Sequence, residues 1–176
     1  MPVLPTLDVS TYGLALGTVI GRLGCLAIVE HLGRPTSLPW GYGLVAGYSV
    51  APAHNSLQCT VAQARADGLC GVYQPVAAYD LIGAAVLLIA LVVWARRVPM
   101  QDGQLFALWM AWYGLQRFLL DFLRVGDATI GPLSWNQLSG LVAGLFGIAM
   151  YRRLGRRSPT EEVAMATLAA TEGTRT

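Results

Sequence analysis

Four long apolar segments constrain the fold of this chain more than any other feature of its sequence. Each is close to the ~20 residues that an α-helix needs to cross the hydrocarbon core of a bilayer, and they cover residues 7–29, 75–95, 104–123 and 133–151. Only 12% of the residues are charged, whereas soluble domains carry about 25%. The sequence therefore predicts an all-α membrane protein. We expect a polytopic bundle of about four transmembrane helices over residues 1–157, followed by a disordered polar tail at 158–176.

Basic residues cluster at one end of this predicted bundle. Two arginines follow the second apolar segment and four follow the fourth, at Arg96, Arg97, Arg152, Arg153, Arg156 and Arg157. Cytoplasmic loops carry an excess of Lys and Arg, so four spans would place both termini in the cytoplasm. The net charge is only +2 and no helix face is basic along its length. These features argue against a nucleic-acid partner.

Charged residues inside the first and third segments need a protein or aqueous environment. Arg22 lies within the first segment and Glu30 follows it at roughly 12 Å along a helix axis. In the third segment, helical spacing puts four polar residues on one face, namely Tyr113, Arg117, Asp121 and Arg124. A charge at bilayer depth costs on the order of 3 kcal/mol. Purely structural alternatives are that Arg22 snorkels or pairs, and that Arg117 and Asp121 neutralise each other within their helix.

The predicted topology brings these groups to one depth. Glu30 ends an outward-going span, Asp80 begins an inward-going one, and Arg117 and Asp121 lie late in an outward-going one. All of them are therefore expected in the outer half of the membrane, with Arg22 deeper. A cluster of this kind suits an anionic lipid headgroup, because the planar guanidinium matches phosphate oxygens bidentately.

Two long motifs resemble those of a known family. Residues 21–41 read GRLGCLAIVEHLGRPTSLPWG, which is similar to the signature Gly-Arg-x-Gly-Asn-x-x-Asn-x-Glu-x-x-Gly and the Arg-Pro-Thr-x-Leu-Pro-Trp-Gly run of prolipoprotein diacylglyceryl transferases. Cys25 and Ile28 replace the two asparagines. Residues 113–124 match Tyr-Gly-x-x-Arg-Phe-x-x-Glu-Phe-x-Arg, with Asp121 in place of the glutamate. A third motif, His-Pro-Ser-Gln-Leu-Tyr-Glu, is matched at Pro75 and Tyr79, with Asp80 as a shorter acid.

The resemblance implies an enzyme of the bacterial inner membrane, with several spans and a site near the outer leaflet. Such enzymes transfer the diacylglyceryl group of phosphatidylglycerol to the lipobox cysteine thiol in the signal peptide of a prolipoprotein, without cofactor or metal. The implied catalytic residues are Arg22, Glu30, Arg117 and Asp121, with the two acids orienting the two arginines. The implied substrate-binding residues are Arg22, Tyr79, Tyr113, Arg117 and Arg124.

Alternatives to a transferase stay open at this level. The resemblance covers residues 6–151, which correspond to the C-terminal part of the family pattern. Its His-Gly-Gly stretch lies upstream of that part, and neither His31 nor His54 maps onto its histidine. No residue is an evident base for the acceptor thiol. A non-catalytic membrane protein that binds anionic lipid, and a plain four-helix module with structural ion pairs, are the two other hypotheses.

Glycine and cysteine spacing adds two smaller predictions. Gly13, Gly17 and Gly21 recur every four residues, as do Gly140 and Gly144, a spacing that lets helices approach closely in membranes. Cys59 and Cys70 either form a disulfide in the outer loop or stay free thiols. Cys25 is expected to be a small buried hydrophobe. The two histidines lack metal-ligand spacing, so no metal site is predicted.

Overall fold

The computed structural model describes residues 2–28, 32–45, 47, 60–124 and 129–155. Within these residues the chain forms four α-helices, α1 (Val3–Ala27), α2 (Val76–Arg97), α3 (Gln104–Asp121) and α4 (Trp135–Leu154). Their bounds lie within a few residues of the predicted apolar segments. Two of them, α1 and α2, are long and apolar enough to cross a membrane. The helical content is therefore confirmed, and two of the four predicted spans meet this criterion. The predicted tail at 158–176 lies outside the described residues.

The prediction of an all-α fold is wrong in the connection between α1 and α2. This connection contains β1 (Leu32–Pro35), β2 (Tyr42–Val45) and β3 (Leu69–Pro75), which form an antiparallel sheet in the order β1-β3-β2. The pairing of these strands provides hydrogen-bond partners for backbone N–H and C=O groups that lie outside the helices. Leu32 and Leu44 are buried in the sheet, at 2% and 5% exposure. A hairpin of β4 (Thr129–Ile130) and β5 (Leu133–Ser134) precedes α4. The protein is mostly helical.

Glycines bring α3 and α4 into close contact. A Cβ atom built on Gly114 would lie 2.3 Å from the backbone nitrogen of Gly144 and 2.5 Å from the carbonyl oxygen of Gly140. One built on Gly147 would lie 2.5 Å from the backbone nitrogen of Ala111. The predicted close approach at Gly140 and Gly144 is confirmed. Since small residues let backbones pack directly, this pair of helices forms the most tightly joined part of the bundle.

The glycine stripe of α1 does not have the predicted partner. No atom of the described chain lies within 4 Å of a Cβ built on Gly13, Gly17 or Gly21. The buried residues of α1 are instead Thr11 and Ala15, at 0% and 1% exposure. A rotation of 100° per residue puts these two on the opposite side of the helix from the glycines. The prediction of close helix packing at this stripe is therefore wrong within the described residues.

Asp8 joins α1 to the start of α3, and we predict that it stabilises the bundle. Its carboxylate accepts hydrogen bonds from the backbone N–H groups of Gly103 at 2.6 Å and Phe106 at 2.9 Å. Capping bonds of this type contribute about 1–2 kcal/mol. We expect Asp8→Ala to lower the free energy of unfolding by about that amount, measured as a lower melting temperature in detergent micelles.

The matched control for Asp8 is Asp102, an exposed acid one residue before Gly103. Asp102→Ala removes a negative charge near the same helix N-terminus, but it removes no side-chain hydrogen bond seen among the described residues. We expect it to melt close to the wild-type temperature. Equal losses in the two variants would show that charge at the end of α3, and not the cap itself, accounts for the effect.

Candidate active site

The predicted polar residues converge at one end of the bundle. Arg22 lies late in α1, Asp80 early in α2 and Arg117 late in α3. Consecutive helices that run in opposite directions bring these positions to the same level. The predicted convergence is confirmed for these three side chains, but Arg22 pairs with Asp80 at the same level instead of lying deeper. Glu30, which was expected to join them, lies outside the described residues.

Asp80 is the carboxylate that holds both arginines. Its Oδ2 atom lies 2.8 Å from Nε of Arg22 and 4.0 Å from Nη1 of Arg117. The Asp80 side chain is 8% exposed, while the side chains of Arg22 and Arg117 are 15% and 21% exposed. Among the described residues, two guanidinium groups face one carboxylate, so this part of the cluster carries one positive charge in excess. A partly desolvated excess charge of this kind favours an anion beside it.

The second oxygen of Asp80 is held by a glutamine. Nε2 of Gln116 donates to Asp80 Oδ1 at 2.7 Å and to the Asp80 carbonyl oxygen at 2.9 Å. Oε1 of Gln116 accepts from Nε1 of Trp112 at 2.8 Å. Sequence reasoning placed Asp80 in the converging cluster but gave it no catalytic or binding role, and it missed Gln116. A signal existed for Asp80, because it replaces the acid of the family's third motif, whereas helical spacing alone does not single out Gln116.

Asp121 belongs to a second polar cluster. In the described part of the chain it pairs with Arg124, at 3.6 Å between Oδ1 and Nη1, and accepts a hydrogen bond from the Ser134 hydroxyl. The side chains of Asp121 and Arg124 are only 1% and 3% exposed. The expected pairing of Asp121 with Arg117 is wrong. Asp121 is the last residue of α3, where the chain turns and Arg124 and the start of α4 come within its reach.

Ser134 connects this second cluster to α4. Its hydroxyl oxygen accepts from the backbone N–H of Gln137 at 3.0 Å, and the Gln137 side chain accepts from the Ser134 N–H at 2.8 Å. This reciprocal arrangement is a capping box. The cluster therefore fixes the end of α3 against the beginning of α4. Its position is next to the Arg22–Asp80–Arg117 group along α3.

Tyr113 and Arg117 line an open pocket between α3 and α4. The pocket has a volume of about 350 Å³, and its other lining residues are Asn136, Ser139, Gly140 and Ala143. It shares Ser139 and Ala143 with an apolar groove of about 390 Å³, lined also by Met110, Trp135, Leu138, Val142 and Phe146. A polar pocket thus adjoins an apolar surface.

Tyr79 lies on another side of the site, where a loop contacts α2. Its hydroxyl oxygen accepts a hydrogen bond from Nε1 of Trp40 at 2.8 Å. Trp40 belongs to the 34–41 run of the first motif, so this bond ties the run to the residue beside Asp80. Gly33, just before the run, has a structural reason to be glycine. A Cβ there would lie 2.8 Å from the carbonyl oxygen of Leu123 and 2.7 Å from the Val76 side chain.

The cysteine and histidine predictions have mixed outcomes. Cys70 is disulfide-bonded, so the alternative that it is a free thiol is wrong, while its predicted partner Cys59 lies outside the described residues. Cys25 is a free thiol of intermediate burial, and its sulfur lies 3.9 Å from Nη1 of Arg22. His31 and His54 also lie outside the described residues. The described part of the chain contains no group of acids, cysteines or histidines that could hold a metal ion.

The family model described as prolipoprotein diacylglyceryl transferase matches residues 1–153. The chain belongs to the prolipoprotein diacylglyceryl transferase family. The resemblance carried by the motifs at residues 21–41 and 113–124 is thereby confirmed. The family is membrane-associated, in agreement with the two helices that are apolar enough to cross a bilayer.

Relatives named phosphatidylglycerol–prolipoprotein diacylglyceryl transferase agree with this assignment. A protein of Leifsonia xyli is 28% identical over 142 residues, covering 78% of this chain and 39% of its own length. A protein of Mycobacterium tuberculosis H37Rv is 32% identical over 130 residues, covering 74% and 27%. A protein of Corynebacterium efficiens is 29% identical over 165 residues, covering 92% and 50%. The matched regions thus span between about a quarter and half of the relatives' lengths.

Proposed function

We propose that this protein acts in the transfer of the diacylglyceryl group of phosphatidylglycerol to the lipobox cysteine thiol of prolipoproteins. The observation that carries the proposal is that Arg22 of α1 and Arg117 of α3 both face the buried carboxylate of Asp80. The described residues of the cluster have one excess positive charge, and the phosphodiester of phosphatidylglycerol has one negative charge. Guanidinium groups bind phosphate oxygens with matching geometry.

The surroundings of Arg117 support a lipid as the substrate. In the proposed complex, the glycerol headgroup occupies the pocket next to Tyr113 and Asn136, and the phosphate lies towards the two arginines. The apolar groove that adjoins this pocket through Ser139 and Ala143 accommodates an acyl chain. Tyr79, which is bonded to Trp40, lines a separate pocket between α2 and α3, and we propose that it contacts the lipid from that side. Arg124, buried against Asp121, supports the end of α3 instead of reaching the lipid.

The arginines would act on the leaving group. The acceptor thiol releases its proton to solvent water, a new S–C bond forms at the glycerol carbon of the diacylglyceryl group, and the C–O bond between that carbon and the phosphate breaks. Glycerol phosphate leaves with the bonding electron pair and gains negative charge, which Arg22 and Arg117 stabilise. Both oxygens of Asp80 are occupied, by Arg22 and Gln116, so we assign Asp80 to charge balance and not to proton removal from the thiol. Glu30 is retained as a proposed catalytic residue, while Asp121, which was expected to be catalytic, is proposed to contribute by holding the end of α3 in position.

We propose a multi-pass orientation in the bacterial inner membrane in which all four helices cross the bilayer. Arg96 and Arg97 lie in the last turn of α2, and Arg152 and Arg153 lie in the last turn of α4. Asp80 lies at the opposite end of α2. The positive-inside rule therefore places both termini in the cytoplasm and the arginine site near the outer leaflet. Residues 1–157 are proposed to form one transmembrane domain.

We predict that transfer depends on Arg22. The assay uses the purified 176-residue protein, phosphatidylglycerol with labelled diacylglycerol, and a lipobox peptide. Arg22→Ala should lower the rate of peptide labelling by at least ~100-fold, because loss of one group that stabilises transition-state charge costs ~10²–10³ in rate. Arg22→Lys should retain part of the activity, since it keeps the charge but loses the planar fork.

The matched control for Arg22 is Arg65, an exposed arginine that pairs with Asp67 in a turn. Arg65→Ala should label the peptide at the wild-type rate. Labelling by Arg22→Ala at the wild-type rate would contradict the proposed role of the cluster.

A second candidate function is binding of anionic lipid without turnover. It is favoured by the contact of Arg22 with Cys25, because a thiol replaces the first motif asparagine and is a weaker hydrogen-bond partner than an amide. The same assay separates the two functions. Phosphatidylglycerol binding that requires Arg22, with no labelled peptide at any protein concentration, would favour this second function.

A further inference from the structure

Gln116 lies between Trp112 and the carboxylate that holds both arginines. Its amide nitrogen donates to Asp80 twice, at 2.7 Å and 2.9 Å, and its amide oxygen accepts from the Trp112 indole at 2.8 Å. Both polar atoms of the amide are therefore hydrogen-bonded. The bonds of the nitrogen join α3 to Asp80 of α2, and the bond of the oxygen lies within α3. A glutamine in so complete a network is held in one orientation.

The tryptophan determines which end of the amide faces Asp80. An indole N–H can only donate, so it must meet the amide oxygen of Gln116. The amide nitrogen is thereby directed at Asp80 Oδ1. With Oδ1 held by Gln116, the carboxylate cannot rotate freely, and Oδ2 is left for Arg22 and Arg117.

Gly83 provides the space that this amide occupies. A Cβ atom built on Gly83 would lie 2.4 Å from Oε1 and 2.6 Å from Nε2 of Gln116. Both distances are shorter than any non-bonded contact of a real Cβ, so a side chain at position 83 would displace the amide. Gly83 on α2 and Trp112 on α3 therefore fix the same group from two sides.

We infer that Gln116 is a positioning residue: it holds the Asp80 carboxylate in one orientation, and that carboxylate holds Arg22 and Arg117 where they receive the lipid phosphate. Trp112 orients the amide of Gln116, and Gly83 leaves the space that the amide occupies. The inference rests on the proposed function of the arginine site. Gln116 is not proposed to touch the reacting atoms. By holding Asp80, Gln116 keeps the guanidinium groups of Arg22 and Arg117 at a separation at which both can bind one phosphate.

The first test measures phosphatidylglycerol binding to the 176-residue protein in neutral detergent micelles. Gln116→Met removes the donor at similar length, and we expect the dissociation constant to rise about tenfold, the effect of losing one hydrogen bond to a charged group. Gly83→Ala should weaken binding to a similar extent. Gly13→Ala is the matched control, because no described atom lies within 4 Å of a Cβ at that glycine, and it should bind like wild type.

The second test uses pH to remove and restore the hydrogen-bond donor at position 116, and the melting temperature measured at each pH shows whether the variant is folded. The charged and titratable groups that face position 116 in the described structure are Asp80 and Tyr79 of α2 and, across Asp80, Arg22 of α1 and Arg117 of α3. In Gln116→Glu, an ionised side chain would lose the donor and cancel the excess positive charge. Protonation reverses both effects. Binding by this variant should therefore recover relative to wild type as the pH falls from about 8 to about 5.

Binding by Arg22→Ala, measured in the same experiments, distinguishes failure of the positioning role of Gln116 from failure of the proposed function. If neither wild type nor any variant binds phosphatidylglycerol in an Arg22-dependent manner, the proposed function itself fails. If wild-type binding depends on Arg22 but Gln116→Met binds equally well, the positioning role is overturned. A Gln116→Glu variant that melts like wild type but whose weak binding does not change with pH would also overturn it, because protonation of the new carboxyl restores the donor to Asp80.

Discussion

Alanine at position 114 should separate α3 from α4 and lower the melting temperature of the protein more than any other single methyl group added to these helices. The new Cβ would meet backbone atoms of Gly144 and Gly140 at 2.3 Å and 2.5 Å. Backbone cannot move aside as a side chain can, so the helices must move apart. Overpacking costs typically ~1–3 kcal/mol, and we expect Gly114→Ala to lie at or above the upper limit. Thermal unfolding in detergent micelles measures the change.

The control for Gly114 is predicted to have the opposite sign. Gly17→Ala adds the same methyl group to α1, where no described atom lies within 4 Å. Alanine is favoured over glycine in a helix by about 1 kcal/mol, so this variant should melt at or above the wild-type temperature. If Gly114→Ala also stabilised the protein, the close approach of α3 and α4 would be contradicted. If Gly17→Ala were strongly destabilising, the glycine face of α1 would have a partner outside the described residues.

Loss of the Asp80 carboxylate should have the largest effect on the candidate site. In Asp80→Ala, Arg22 and Arg117 keep their partly buried positions but lose the acid that balances them. Removing one partner of a buried ion pair costs about 3–5 kcal/mol, so the melting temperature should fall together with the rate of diacylglyceryl transfer. Asp80→Glu should retain much of both, because it keeps the charge and restores the acid of the family's third motif.

An exposed ion pair provides the comparison for Asp80. Asp67 pairs with Arg65 at 3.5 Å, and both side chains are more than half exposed. Asp67→Ala should leave the melting temperature and the transfer rate close to wild type, since exposed pairs contribute little. Asp80→Ala melting at the wild-type temperature would mean that the two arginines do not depend on this carboxylate.

The helices could be predicted because their signal is local. A run of about 20 apolar residues already favours one helix of that length, and the observed helices end within a few residues of the predicted bounds. The common level of Arg22, Asp80 and Arg117 along the bundle was also predictable. Consecutive antiparallel helices bring the end of one beside the start of the next, whatever their rotation about their own axes.

The partners within the site depended on rotations and turns that no spacing reveals. Arg117 and Asp121 are four residues apart, yet Asp121 pairs with Arg124 and Ser134, because α3 ends at Asp121 and the chain folds back there. The stripe at Gly13 and Gly17 has the right spacing for packing, yet α1 contacts its neighbours through Thr11 and Ala15. Rotation of a helix about its axis decides such cases, and that rotation is set by all contacts together.

The sequence by itself determined the helix positions, the end of the bundle where the charged residues gather, and the family, because each depends on residues that are near in the chain or match a long motif. Only the tertiary structure decided that Asp80 pairs with both arginines and that Gln116, itself bonded to Trp112, holds Asp80. It also decided that three strands within residues 32–75 form a small sheet. Those contacts join three helices at distances of a few ångströms. Such distances are fixed by close packing between elements, which a pattern along one element does not specify.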